Sequence, residues 1–178
     1  TGMHWIREAG MLTTPVAITN THQVGVVRDE LVEYECQHHP DVRWLLPVVA
    51  ETYDGWLNDI NGFHVTREHV LEALGAAAPG PVAEGNVGGG TGMICHEFKC
   101  GIGTASRRVT IADAPSMLGV LVQANYGLRD TLRIAGVPVG QHIRNDRVYS
   151  EPDPKAAETG SIIIVIGTDA PLLPHQLK

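Results

Sequence analysis

The stretch EGNVGGGTGMICHEFKCGIGTASRR, residues 84–108, decides between two classes of fold. Glycine-dense loops let successive backbone N–H groups turn toward one point, because residues without a Cβ enter φ > 0 freely and approach a ligand closely. Such a loop running from a strand into an amphipathic helix marks a phosphate cradle in a doubly wound parallel sheet. Here GGGTGM is followed by ICHEF (94–98), a short strand-like run, and no GK[ST] occurs in the chain. Neither a Walker loop nor a dinucleotide fingerprint is present.

Working outward, VTIAD (109–113), LGVLVQANYG (118–127), TLRIAGVPVG (131–140) and SIIIVIGTD (161–169) are four strand-like runs separated by Gly, Pro or charged turns. Upstream, HWIRE (4–8) and PVAITN (15–20) read as two strands around a glycine-containing turn. LLPVVAETY (45–53) reads as a buried strand that runs into the turn-rich DGWLNDING (54–62). One helix is expected from a Thr21 cap to about Cys36, with Val24, Val27, Leu31 and Tyr34 at helical spacing, and a second from a Thr66 cap to about Leu74. AAAPGPVAEG (76–85) and DPKAAETG (153–160) read as connectors, and Asp169 with Pro171 as the opening of a last helix. Few helices bracketing groups of strands predict layered α+β, not a doubly wound sheet.

The chain has 178 residues, 43% of them hydrophobic, enough for a single domain with a substantial core. Its net charge of −7 and 13 scattered Lys and Arg argue against a nucleic-acid partner or an anionic membrane surface. No apolar run approaches the roughly 18 to 20 residues of a membrane span. Cys36, Cys95 and Cys100 are an odd number in a chain too large to need disulfides, so reduced thiols and a cytoplasmic location are expected. A start at Thr1 and a stop at HQLK, inside a helix left unfinished, lead us to expect a piece of a longer protein.

A metal reading of Cys95, His96 and Cys100 lacks a closed ligand set, since His38, His39, His64 and His69 supply no second short-spaced pair. Cys95 is expected to be a small core residue. An acyl-transfer reading needs an oxyanion hole and a nucleophile. Asn86 stands at the head of the glycine run, where a side-chain donor would complete such a hole, and Ser106 and Ser116 follow. There is no GxSxG elbow and no ordered triad. A serine that begins a chain can instead use its own α-amino group, with a pKa of about 7.7–8.0, as the base. On spacing alone, Ser116 reads better as a turn cap.

TGMHWIREAG (1–10), ITNTHQVGVVRD (18–29), PVVAETYDGWLNDINGFHV (47–65), GNVGGGTGMICHEFKCGIGTASR (85–107), GVLVQANYG (119–127), AGVPVG (135–140) and SIIIVIGTDAPLLPHQLK (161–178) together resemble the L-aminopeptidase/D-esterase family, which includes the β-peptidyl aminopeptidases. The resemblance implies an N-terminal-nucleophile hydrolase with an ornithine-acetyltransferase-like fold, an α/β/β/α sandwich. Such a precursor cuts itself into α and β chains. Ser116 takes the nucleophile's place ahead of the GVLVQ strand, and PSML (115–118) is similar to the ATML around the acetyltransferase nucleophile. The junction is then 115/116, with parts 1–115 and 116–178. Pro115 stands where the resemblance implies Gly, Asn or Ala, and its ring restricts the geometry of the acyl shift.

The resemblance further implies that Asn86 serves the oxyanion hole beside the N–H groups of Gly88, Gly89 and Gly90, and that Ser161 is a second active-site serine. No metal or organic cofactor is implied. Substrates would be short peptides, amides or esters with a free amino terminus, and the assembly a homo-oligomer of αβ units. Two other readings stand beside it: an acyltransferase of the ornithine acetyltransferase type, and an unprocessed precursor or fragment with only a binding or assembly role.

Overall fold

The computed structural model describes residues 2–111, 113–148 and 160–177. The architecture is α+β, and the chain divides into two compact units. The first comprises Thr1–Glu51, Ile60–Pro81 and Asp169–Lys178, the second Thr52–Asp59 and Val82–Thr168. DPKAAETG, expected as a connector, lies outside the described residues apart from Gly160.

The first unit opens on helix α1, Gly2–Ala9, so HWIRE is helical and not the expected strand. Met, Arg, Glu and Ala are good helix formers, and Ile6 is the segment's one β-branched residue. Gly10, at φ +69°, closes the helix, its N–H meeting Ile6 O at 2.8 Å. Strand β1 (Val16–Asn20) pairs with β2 (Val48–Thr52) in a two-stranded sheet. Between β1 and helix α2 (Val24–His38), a 3-10 turn over Thr21–Gln23 is capped by Asn20 and not by Thr21, the Asn20 Oδ1 accepting the Gln23 N–H at 3.0 Å.

Thr66 does cap helix α3 (Arg67–Ala76), in a capping box closed by His69. The core follows from the helical spacing. Val27 and Leu31 of α2 meet Val70 of α3, with Ala17 and Val49 from the two strands packed against them. Arg67 ties the helices at their surface, its Nε 2.6 Å from Glu30 and its Nη2 on Glu33. The buried Gln23 amide joins both polar groups of Val65, donating to its O at 2.5 Å and accepting from its N at 2.9 Å. At the end, Pro174–Leu177 forms only a 3-10 turn where a helix from Asp169 was expected. Pro171 and Pro174 remove N–H donors that a longer helix would need.

The second unit is built on three antiparallel strands in the order β5-β6-β7: β5 Ile102–Ile111, β6 Ala114–Asn125 and β7 Ser161–Thr168. A small hairpin precedes them, β3 Ile94–Cys95 with β4 Phe98–Lys99, so ICHEF turns back on itself instead of forming one strand. TLRIAGVPVG, expected as a strand, is a turn flanked by short helical pieces. Ile134 and Val137 exchange both backbone hydrogen bonds across Ala135 and Gly136, each at positive φ. After Pro138 comes the four-residue helix α4, Val139–His142. Among the described residues no helix is long and apolar enough to cross a membrane.

Candidate active site at one end of the three-stranded sheet

Strand register decides which of the expected site residues can meet. Along β6, Gln123 pairs with Ile102 of β5, and Asn125 pairs with Ser161 of β7. Gly85 bridges to that same Ile102, which brings the glycine-rich loop to the Asn125 end of the sheet. Ser116 lies toward the opposite end, opposite Val109 near the β5–β6 turn. It is nine residues from Asn125, roughly 30 Å at a strand's rise of about 3.3 Å per residue. Ser116 was expected just ahead of the strand; it sits inside β6 and is only 4% exposed.

Ser161 is the first residue of β7 and half-buried. Its Oγ accepts from Asn125 Nδ2 at 3.1 Å. The Asn125 amide is fixed on both ends. Its Oδ1 accepts the Ile94 N–H at 3.0 Å, and its Nδ2 also donates to Tyr53 O at 2.7 Å. The acceptor bond from β3 removes the amide-flip ambiguity, so the N–H side faces the serine. Gly160 precedes it at a point where a Cβ would stand 2.7 Å from Tyr126 Cβ and 2.8 Å from Tyr126 Cα. Backbone cannot yield to that contact as a side-chain tip can. Gly160→Val is therefore expected to push Ser161 off Asn125.

The glycine run forms a 3-10 turn, Gly88–Gly90. The N–H groups of Gly90 and Thr91 bond back to Val87 O and Gly88 O within the loop, at 2.9 and 3.1 Å. Gly89 packs on the side-chain amide of Gln123, where a Cβ would fall 2.9 Å from Nε2. Lys99 staples the loop to the hairpin: its Nζ lies 2.9 Å from Asn86 Oδ1, 3.1 Å from Gly90 O and from Met93 O, and 2.7 Å from Cys100 O. Burial holds the Lys99 ammonium below its usual range. Asn86 itself is exposed, and with Oδ1 committed to Lys99 its Nδ2 is the side an anion could meet.

Asn125, Tyr53, Gln123 and Thr52 are positions the sequence reading did not assign to the site. Gln123 is 1% exposed and donates from Nε2 to Thr52 Oγ1 at 2.6 Å. A signal for the pair was present: in GVLVQAN two amides stand two apart in an otherwise apolar strand, which puts both on one face. Chemically, the cluster offers a hydroxyl at a strand head, an oriented amide donor beside it and a glycine loop at the same sheet end. That is the equipment of acyl transfer.

The family model described as peptidase family S58 matches residues 1–178. A β-peptidyl aminopeptidase, BapA, of Sphingosinicella microcystinivorans is 52% identical over 190 residues, which cover 100% of this chain and 47% of that protein. The chain thus spans about half the length of the curated relatives it matches. Among solved structures, a Burkholderia sp. β-aminopeptidase superposes with a TM-score of 0.83 at 59% identity, over 97% of this chain and 46% of that one. An L-aminopeptidase D-Ala-esterase/amidase from Ochrobactrum anthropi, described as a prototype for the serine aminopeptidases and a new variant among the Ntn hydrolase fold, gives 0.90 at 51% identity. There the match covers 99% of this chain and 48% of that chain.

Proposed function

Because the chain belongs to peptidase family S58, we propose that the whole protein is a self-processing serine aminopeptidase of the N-terminal-nucleophile type, with Ser161 as its nucleophile. One observation carries the choice of serine: Ser161 heads β7 directly after a glycine that no side chain can replace, with its Oγ on the Asn125 amide. Ser116 has Pro115 before it and is only 4% exposed within β6. The names of the relatives support the substrate class, peptide-like amides with a free amino terminus, β-aminoacyl ones among them.

In this reading Ser161 Oγ first attacks the carbonyl carbon of Gly160. The peptide becomes an ester, and water releases Ser161 with a free α-amino group. That amine, with a pKa of about 7.7–8.0, then takes the Oγ proton as Oγ attacks the substrate carbonyl, and returns it to the leaving amine. The Asn125 N–H that now meets Ser161 Oγ can pass to the developing oxyanion as Oγ attacks; Asn86 Nδ2 and the N–H groups of Gly88 and Gly89 are the second candidate donors. The test is end-group sequencing of the purified whole protein with an assay on β-aminoacyl and α-aminoacyl p-nitroanilides. Two chains, one beginning at Ser161, are expected. A new amino terminus at Ser116, or one intact chain with full turnover, would sink the assignment.

A further inference from the structure

The β3–β4 hairpin carries a second reactive feature, outside the serine site. Cys95 pairs with Phe98 and Ile94 with Lys99, and the Cys100 N–H continues the ladder to Met93 O at 3.0 Å. Residues on alternate rungs share a face, so Cys95 and Cys100 project to the same side. On that face each thiol is the strongest single influence on the other's ionisation. Cys95 was expected as core packing, yet both cysteines are half-exposed. Cys100 also lines a cavity of about 350 Å3 together with Asn86, Lys99 and Val122.

The surroundings favour negative charge on Cys100. The Cys95 thiol donates to it, the Gly101 N–H donates to it, and the Lys99 and His96 charges lie near, which together hold the Cys100 thiol down at about 6. Cys95 is pushed up, first by the hydrogen bond it gives to Cys100 and then by burial. One sulfur is thus a nucleophile at neutral pH while its neighbour keeps its proton.

We propose that Cys95 and Cys100 are a dithiol site that a hydroperoxide oxidises to an intramolecular disulfide, Cys100 attacking first and Cys95 resolving. In the first step the Cys100 sulfur bonds to the terminal oxygen of ROOH, the O–O bond breaks, and RO⁻ takes a proton from water to leave as ROH. Cys100 is then a sulfenic acid. In the second, the Cys95 sulfur attacks the Cys100 sulfur, the S–S bond forms as the S–O bond breaks, and hydroxide leaves as water with the Cys95 proton. The two sulfurs have together lost the two electrons that the peroxide gained. This chemistry is independent of the hydrolase reading.

Hydrogen peroxide added to the whole native protein is the test. The thiols of Cys95 and Cys100 and the mass of two hydrogens are expected to disappear and to return with dithiothreitol. Trypsin cuts after Lys99, between the two cysteines, so the fragments on either side stay joined until reduction. Cys36→Ser behaves as wild type. Cys95→Ser stops at a sulfenic acid that dimedone traps, and Cys100→Ser slows thiol loss on the order of tenfold or more. Cys95 and Cys100 thiols surviving peroxide, a crosslink through Cys36, or Cys100→Ser reacting at the wild-type rate would each overturn the proposal.

Discussion

Ser161→Ala is expected to leave the whole protein as one uncut chain and to lower kcat/KM by about ten-thousand-fold or more, the scale of losing a catalytic nucleophile. On the proposed reading the loss comes twice, because the same Oγ opens the Gly160 peptide and then the substrate amide. Packing is not at issue, since Ser161 is half-buried and its Oγ rests on the Asn125 amide at 3.1 Å. Ser161→Thr keeps the hydroxyl and is expected to process slowly; Ser161→Cys keeps a nucleophile and is expected to process. Ser116→Ala is the contrast. It removes one hydroxyl from inside β6, roughly 30 Å along the strand from Asn125. Processing and turnover are expected to stay within about threefold of wild type, since the change is remote from the reacting atoms. Gel electrophoresis and p-nitroanilide turnover read both variants. Loss of processing in Ser116→Ala with retention in Ser161→Ala would reverse the assignment.

The two serines illustrate how far local pattern reaches. Ser116 and Ser161 both stand at the front of apolar, strand-like runs, MLGVLVQ and IIIVIG, so alternation and propensity treat them alike. What separates them is register. A hairpin of β5 with β6 encloses Ser116, and the pairing of β6 with β7 delivers Ser161 to Asn125. The first is a hairpin contact between near neighbours in sequence, Val109 and Ser116, but the second joins residues 36 apart and has no local signature. The residue before each serine was legible, proline at 115 and glycine at 160, and pointed the same way as the register. The family resemblance was also legible, because it rests on seven blocks that together span the chain.

The fold was read best where one periodicity had no rival. α2, α3, β1, β2 and β7 lie where their patterns put them, with bounds shifted by a few residues. HWIRE failed because five residues give too short a window to tell a helix from a strand, and the closing signal, Gly10, lay just beyond it. TLRIAGVPVG failed because Val and Ile outweighed the Ala-Gly turn between them; Ala135 and Gly136 at positive φ reverse the chain there.

Arg129→Met is expected to destabilise the second unit by about 3–5 kcal/mol, the scale of leaving several buried carbonyls without donors at about 1–3 kcal/mol each. Arg129 is 1% exposed, and its guanidinium serves five carbonyls: His96 O at 3.0 Å, Ile143 O and Asn145 O at 2.9 Å, Glu97 O at 2.6 Å and Asp146 O at 3.4 Å. It also stacks over the Phe98 ring, 3.5 Å from the centroid. Methionine matches the stem but leaves the carbonyls without donors, and the cost lies in those orphans more than in the charge. Arg129→Lys keeps a cation yet presents three donors from one point in place of a planar fork, so it is expected to recover only part of the loss. Arg28→Met removes an exposed pair with Asp29 and is expected to change stability by less than about 0.5 kcal/mol. Urea midpoints at constant slope measure all three, and a loss under about 1 kcal/mol for Arg129→Met would defeat the argument. Activity is expected to fall as well. His96 and Glu97 form the left-handed turn of the β3–β4 hairpin, and that hairpin supplies the Ile94 N–H that turns the Asn125 amide toward Ser161.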